Sequence, residues 1–517
     1  MKKLLCISSV LFIAACGDNI KGNDPDGGPG SDAEIDAPID SPPSWTQPDA
    51  HSFMLSATRP DVIMSAAAGP SGSFYAAGYL DKDIDPDPDT TTIERRIIVV
   101  KLGANGVPDA TFGTGGVADT GFVFRGGNDD IDIATLANGD ILVSATVNAA
   151  VANGVDASDT DIGIIKLSPA NGAVVTAWGD NGIVRHSFNT SLASNNRDSS
   201  RGLAVGPDGS IYVSGAGRGP GNQQPADTTA RTDLDWYVAK FTSAGAIDTT
   251  WGIETNVAGV HTGHRNVDLF IPAVGTAAPN LHQGATARSL IVLSDGSVIS
   301  GGYVSQTLTA SPQAVLFKLD PNGDLDGDFA DGGIFHETVF GGQTEVYNFA
   351  LHGDKIVTAG YGRDAATGPN DWVSMRFDIN TGARDMTWGG AAGGKNLIDA
   401  DPSIDNEGSN CRNIIALPNG KSLLIGSTGT AASGQPPSPT QDAAFVVLDA
   451  DGKPDTAYGD GRAKYKLDAT DDGADQFWGA AVNGNKVLIV GWRGATIANP
   501  QTETNNDNSY GVILELQ

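Results

Sequence analysis

Seven times along this chain a turn glycine is followed at once by a short β-rich strand, and that recurrence constrains the fold more than any other feature. The glycines are Gly72, Gly139, Gly209, Gly296, Gly353, Gly420 and Gly484, spaced 67, 70, 87, 57, 67 and 64 residues apart. The clearest copy runs from Asp198 to Gly252. It has a small-residue run Ser200–Val205, the turn Pro207-Asp208-Gly209, a strand Ser210–Gly215, a polar insertion, a strand Asp235–Phe241, and the phrase Asp248-Thr249-Thr250-Trp251-Gly252. Short strands joined by glycine turns at a near-constant period predict a propeller or a solenoid. No long window carries a sustained 3.6-residue apolar period, and 67 Gly with 27 Pro favour turns over helix, so the chain is expected to be all-β.

The aromatic-glycine phrase decides between the two architectures. It occurs as Phe112-Gly113, Trp178-Gly179, Trp251-Gly252, Phe329-Ala330, Trp388-Gly389 and Tyr458-Gly459, six times for seven repeats. The last repeat ends at Gln517, where its phrase and fourth strand should begin, while Trp45 lies 67 residues before Phe112, in register with the series. A closed ring uses such an N-terminal segment to complete its last sheet and remove two edges, which an open solenoid does not need. The expectation is a seven-bladed β-propeller of four-stranded blades, residues 45–517, with Trp45 to Ser56 as the missing strand of the last blade.

The phrases resemble the delta-60 repeat family of bacterial extracytoplasmic proteins. The residues that carry the likeness are Asp208-Gly209-Ser210-Ile211 with Asp248–Gly252, and Asp109-Ala110-Thr111-Phe112-Gly113-Thr114-Gly115-Gly116. It covers about residues 45 to 517 and departs in the long insertions and at Ala330, which replaces glycine. The resemblance implies the fold and an extracytoplasmic location; the family brings no assigned catalytic residues.

The N-terminus points the same way. Met1-Lys2-Lys3 precedes an apolar run from Leu4 to Ile13, too short to span a bilayer and of the length of a secretory signal. It ends in Ile13-Ala14-Ala15-Cys16-Gly17, which resembles a bacterial lipobox, so residues 1–15 are read as a lipoprotein signal peptide and Cys16 as the lipid attachment site. Several acyl chains on one residue give a stable anchor. Gly17 in place of Asp implies, by resemblance, the outer membrane; which side of it the protein faces stays open. Residues 16–44, rich in Asp, Gly, Pro and Ser, read as a flexible tether.

With 32 Lys plus Arg against 62 Asp plus Glu, the net charge is −30. Such a surface repels nucleic acid and anionic lipid, leaving the lipid anchor as the contact with membrane, and it favours a soluble monomeric domain. Of three cysteines only Cys411 is unassigned, so there is no disulfide framework, and a lone thiol of this kind is read as a core residue.

Insertions at Leu80–Ile93, Val147–Thr160, Ala216–Leu234, Thr428–Gln441 and Arg493–Ser509 all fall between second and third strands, the face shared with the crossings into each innermost strand. Function on such scaffolds sits on that face and at the channel mouth. Eight residues before the turn glycine the innermost strands carry Arg201, Arg288 and Arg412, with Met64 and Ile131 in blades one and two and Glu345 nearby in blade five. Three guanidiniums at one register would hold a carboxylate, sulfate or phosphate, or else pair with structural acids such as Asp198 or Glu345. Asp81, Asp83, Asp85, Asp87 and Asp89, and separately Asp320-Pro321-Asn322-Gly323-Asp324-Leu325-Asp326, have the oxygen-rich look of calcium loops; the second coincides with the ordinary repeat turn, which wants Asp and Gly anyway. His261 and His264 lack a third ligand at zinc spacing. No cofactor is expected, and no nucleophile elbow, His-Glu-x-x-His or phosphate loop occurs. The sequence favours a binding module for a protein or glycan ligand over the alternative, a carbohydrate-active or other enzyme with its site at the channel mouth.

Overall fold

A computed structural model describes residues 45–517 except 54, 57–58, 86–90, 128–129, 152–153, 189–196, 219–233, 256, 268, 270–284, 305–311, 364–368, 391, 403–407, 431–440, 468–473, 495–507 and 517. Over these residues the chain forms seven antiparallel sheets, and each is a propeller blade whose strands follow one another in sequence from the axis outward, except that the outermost strand of blade 7 comes from the N-terminal side. The innermost strands are Asp61–Ala68, Ile131–Thr135, Ser199–Val205, Ala285–Val292, Gln343–His352, Gly408–Ala416 and Gln476–Asn483. Blade 3 shows the plan in full, with Ile211–Arg218, Leu234–Phe241 and His264–Val267 added in order. In blade 5 the third strand is interrupted at Met375, whose N–H turns to the Thr358 hydroxyl at 3.1 Å.

The ring closes as expected. Ala50–Ser52 pairs antiparallel with Asn508–Glu515, setting Ala50 opposite Val512, His51 opposite Gly511 and Ser52 opposite Tyr510. The Phe53 amide adds a bond to the Ser509 carbonyl at 2.9 Å, and the Phe53 ring fills the apolar seam with Ile63, Phe74 and Leu488. Trp45, however, does not take the seventh aromatic position. It packs edge-on against Phe445 and Tyr458 of blade 6, 6.3 and 6.4 Å between centroids. The slot it was matched to, against Gly106 of blade 1, is filled by Ile513.

The recurring phrase holds blades together. Its aromatic lies on the turn glycine of the next blade: Phe112 on Gly172, Trp178 on Gly245, Trp251 on Gly323, Phe329 on Gly382 and Trp388 on Gly452, each so close that a Cβ there would clash. Its aspartate caps the turn and pairs with a cation on the sheet. Asp109 accepts from the Thr111 hydroxyl at 2.7 Å and meets Lys101 at 2.9 Å, and the same pairs recur as Asp248–Lys240 at 3.0 Å, Asp326–Lys318 at 2.9 Å and Asp385–Arg376 at 2.6 Å. The Thr111 hydrogen bond, helped by Lys101, holds Asp109 down at about 2. Blade 2 has no aspartate at this place, and its Lys166 turns to Asp140 at 2.8 Å.

Glycines within the second strands have a different task. A Cβ on Gly78, Gly215, Gly302, Gly360, Gly426 or Gly491 would stand 1.8 to 2.1 Å from a carbonyl oxygen of the innermost strand. In those six blades the innermost strand carries a β-bulge beside that glycine, at Met64, Arg201, Arg288, Tyr347, Arg412 and Trp478. Blade 2 has Ala145 at the position, and its first two strands pair without a bulge. A bulge bends its strand and re-aims the extra side chain, and here glycine is what lets the bent backbone come close. Replacing Gly215 by Ala should therefore destabilise the fold by about 1–3 kcal/mol, the usual cost of overpacking, whereas Ala145→Gly should cost no more than about 1 kcal/mol. Urea unfolding of the two variants separates these outcomes.

Candidate functional site at the channel mouth

Six bulges and one regular strand start send one side chain per blade toward the axis. Met64, Ile131, Arg201, Arg288, Tyr347, Arg412 and Trp478 line a single cavity of about 130 Å³. The sequence register thus brings its three arginines together. In blade 5 the register pointed to Glu345, two residues short of the position, because the first hairpins of blades 5 and 7 have two-residue loops, His352 opposite Lys355 and Asn483 opposite Lys486. Tyr347 and Trp478 hold the ring positions there, and Glu345, two residues before Tyr347 on the same strand, is 4% exposed.

Around blades 4 to 7 the ring is a continuous stack. The Arg288 guanidinium lies 4.2 Å from the centre of the Tyr347 ring, and Arg412 lies 4.6 Å from the same ring and 4.7 Å from Trp478. Trp478 in turn stacks on Trp492, 5.1 Å between centroids with planes 29° apart. Cation–π contacts of this kind are worth about 0.5–2 kcal/mol each, more where water is excluded.

Acids answer the arginines unevenly. Arg201 Nη1 meets Asp130 Oδ1 at 2.5 Å, so its partner is Asp130 and not the Asp198 suggested by sequence. Asp198 instead accepts from the Phe188 amide at 2.8 Å and the Ser187 hydroxyl at 3.0 Å, tying the crossing from blade 2 to blade 3. Asp61 and Asp475 do the same at other crossings, accepting from the amides of Ser509 at 2.8 Å and Leu467 at 2.6 Å. Burial raises Asp198 to about 7 and Asp61 to about 6. Glu345 accepts from Gln343 Nε2 at 2.7 Å; burial pushes its carboxyl up, opposed first by Arg288 and also by Arg412.

Below the ring, polar side chains join neighbouring inner strands. The Ser65 hydroxyl donates to Asp132 at 2.6 Å, and Asp132 also accepts from the amides of Ile133 at 2.8 Å and Leu203 at 2.9 Å. Asn413 Nδ2 donates to the Trp478 carbonyl at 3.1 Å. Burial raises Asp132 against these hydrogen bonds. The Arg201–Asp130 pair also borders a second cavity of about 600 Å³ between blades 2 and 3, lined further by Arg125, Arg197, Asp198, Thr146 and Thr160.

The remaining candidates fall into structural roles. Cys411 is fully buried in the core, and burial raises its thiol far above the ordinary range, so it is no nucleophile. Asp320 is an Asx-turn acceptor for the amides of Asn322 at 2.8 Å and Asp324 at 3.0 Å, and Asp324 pairs with Arg265 at 2.8 Å. Asp81 pairs with Arg95 at 3.0 Å and Asp83 with Arg59 at 3.6 Å; Asp87 and Asp89 lie outside the described residues. Among the described residues no three His, Cys, Asp or Glu side chains gather as a metal site. His264 opens the fourth strand of blade 3, where it packs with His186, Phe188 and Tyr237. Of the insertions, Val147–Thr160 is a long hairpin extending the second and third strands of blade 2, while most of Ala216–Leu234, Thr428–Gln441 and Arg493–Ser509 lies outside the described residues.

No protein-family model matches the chain, and no curated protein does. Solved structures similar to it include a protein of unknown function from Dyadobacter fermentans, at 11% identity and TM-score 0.43, covering 92% of this chain and 100% of that one. Others are the polysaccharide lyase Uly1, at 9% identity and TM-score 0.44 over 89% and 91% of the two chains, and an α-L-arabinanase from Penicillium chrysogenum, at 11% identity and TM-score 0.37 over 74% and 92%.

The raised Asp198 has a consequence for stability. A carboxyl whose folded pKa is about 7 against an unfolded 3.8 contributes stability that is fully present below pH 3.8 and lost as pH rises through 7. His186 and His264, held by burial at about 3 and about 4 against 6.5, act oppositely and lose their contribution as pH falls. Asp198→Asn keeps the acceptor and removes the proton, so its melting temperature should gain on the native protein steadily between pH 4 and pH 7. A constant offset across that range would show that Asp198 does not retain its proton.

Proposed function

We propose that this protein is a lipid-anchored binding module of the bacterial cell envelope, its ligand a protein or glycan met on the crossing face of the propeller. Cys16 would carry the acyl chains, residues 16–44 would serve as the tether, and the outer membrane is the location that Gly17 favours. The support for binding rather than catalysis is the composition of the mouth. Among the described residues its cavity is walled by arginine, aromatic, amide, hydroxyl and apolar side chains, with Asp132 the one carboxylate and with no histidine, lysine or cysteine. Asp132 is already engaged by three donors, so no described residue there combines an available proton-transfer group with a nucleophile.

One observation favours the enzyme alternative. Asp198, held at about 7, and Asp130 both line the larger cavity between blades 2 and 3, and a carboxyl titrating near neutrality is what a general acid requires. Under that reading Asp198→Asn would abolish turnover of a carbohydrate substrate; under the binding reading no such turnover exists to lose.

Two measurements test the proposal. Cys16→Ser should lose incorporation of labelled fatty acid and release the protein from the membrane fraction. Pull-down from envelope extract should recover a partner that is lost when the five insertions are shortened together while the melting transition persists; retention of the same partner by that variant would remove the crossing face from consideration.

A further inference from the structure

Three cavities on the crossing face adjoin one another. Arg201 is common to the channel mouth and to the cavity of about 600 Å³ between blades 2 and 3. Arg125 and Gly126 are common to that cavity and to a third, of about 300 Å³, whose far wall is Asp81, Ile93 and Arg95 of blade 1. The three make one furrow, from the axis past the start of blade 3 to the second and third strands of blade 1. Insertions supply its banks: Asp81 and Ile93 come from the first, Ser158 and Thr160 from the second and Leu234 from the third. Its cations are set before a ligand arrives. The Arg125 amide donates to the Thr146 carbonyl at 2.9 Å, and its Nε to Asn148 Oδ1 at 2.7 Å. Arg95 is held by Asp81 at 3.0 Å and Arg201 by Asp130 at 2.5 Å. Side chains ordered in advance lose less freedom on binding.

The wall sets donors and acceptors side by side. Guanidiniums only donate. The hydroxyls have given their protons to the protein: Ser158 to Asp156 Oδ1 at 2.7 Å, Thr160 to the Asp198 carbonyl at 2.9 Å and Thr146 to Asp130 at 3.2 Å. A hydroxyl committed in this way keeps lone pairs for a ligand. Asp198, 1% exposed, has an Oδ1 with no hydrogen-bond partner among the described residues. A ligand that matches such a wall carries closely spaced groups that donate and accept at once, and a chain of sugar hydroxyls does so. Extended peptides are held instead through pockets for alternate side chains. Among the described residues the apolar side chains of the two larger cavities are Ile93, Phe124 and Leu234, and Phe124 is buried on Tyr79, 5.4 Å between stacked rings.

We propose that this furrow seats a linear oligosaccharide, its sugar units lying along the two larger cavities with one end toward the channel mouth. The inference rests on the binding reading above and commits it to a glycan held over blades 1 to 3. A chain that occupies adjoining cavities gains contacts with each further unit seated, without losing its translational freedom a second time, so affinity rises with chain length. A single pocket has no such dependence.

Titration calorimetry on the full chain tests this, with xylose oligomers and galacturonate oligomers from dimer to hexamer as probes and a pooled hexapeptide library as the contrast. At least one sugar series should bind at a single site and tighten at least tenfold from dimer to hexamer. A Cβ on Gly127 would meet nothing within 4 Å, so Gly127→Trp places its indole in the furrow and leaves the core alone. Hexamer binding should fall at least tenfold in that variant and in Arg125→Gln, with the melting temperature unchanged. The galacturonate series binding above the xylose series supports an acidic chain as the source; equal affinities support a neutral one. Failure of both sugar series overturns the proposal, as does equal affinity for dimer and hexamer, or undiminished binding by either folded variant. Should Gly127→Trp fail to fold, Arg125→Gln decides alone. Peptides bound while both sugar series fail would replace the glycan with a polypeptide. A partner recovered by pull-down and lost with the insertions, while no sugar binds, would sink this inference and leave the envelope-binding reading standing.

Discussion

A close approach between two strands is what the rest of this molecule depends on. In six blades the backbone of the innermost strand comes so near the second strand that no side chain fits between, and glycine occupies the meeting point. That contact permits the bulge, the bulge turns one residue toward the axis, and those residues with Ile131 make the ring that lines the channel. Blade 2 supplies the internal control: alanine at the same point goes with regular pairing and a plain isoleucine at the wall. The glycine that reads in sequence as ordinary strand-end punctuation is thus the residue that decides what the channel displays.

The outer part of each blade is governed by a separate arrangement. Aspartate, cation and aromatic of the recurring phrase act at one turn, the first two fixing its shape and the third reaching the neighbouring blade. Individually such half-exposed ion pairs contribute about 0–1 kcal/mol. Their effect is positional: they set the aromatic over a glycine that cannot push it away. The buried crossings use acids differently, as acceptors for amides in places where ionisation is disfavoured, so the same residue type sits well below its usual pKa on the outer turns and well above it near the axis.

Much of this was legible in the chain. The seven turn glycines and the six-for-seven count of the aromatic phrase were sufficient for blade number and for closure by the N-terminal strand. The arginine register was legible because five of the first hairpins, those of the three arginine blades among them, share one loop length. It failed at Tyr347, where a two-residue loop in place of a five-residue one shifts the count, and the signal was present in the shorter run around Gly353. Trp45 matched the series by spacing alone and packs on blade 6 instead, since sequence distance carries no information about which side of a strand a flanking residue turns to. Pairing of Arg201 with Asp130 rather than Asp198 depended on the path of the crossing, which no periodicity records.

Closure by the first strand also sets the order in which the molecule can be finished. Residues 50–52 wait for 510–512, almost the whole length of the chain, before they find their partners. Six blades can form as soon as their own strands exist, each from neighbours close in sequence. The seam cannot, and pairings over such distances are the slow ones because the entropy of closing the loop comes before any contact is made. Until the final strand has left the ribosome, the first one has nowhere to go, and the last blade keeps an open edge that only its own beginning can cover.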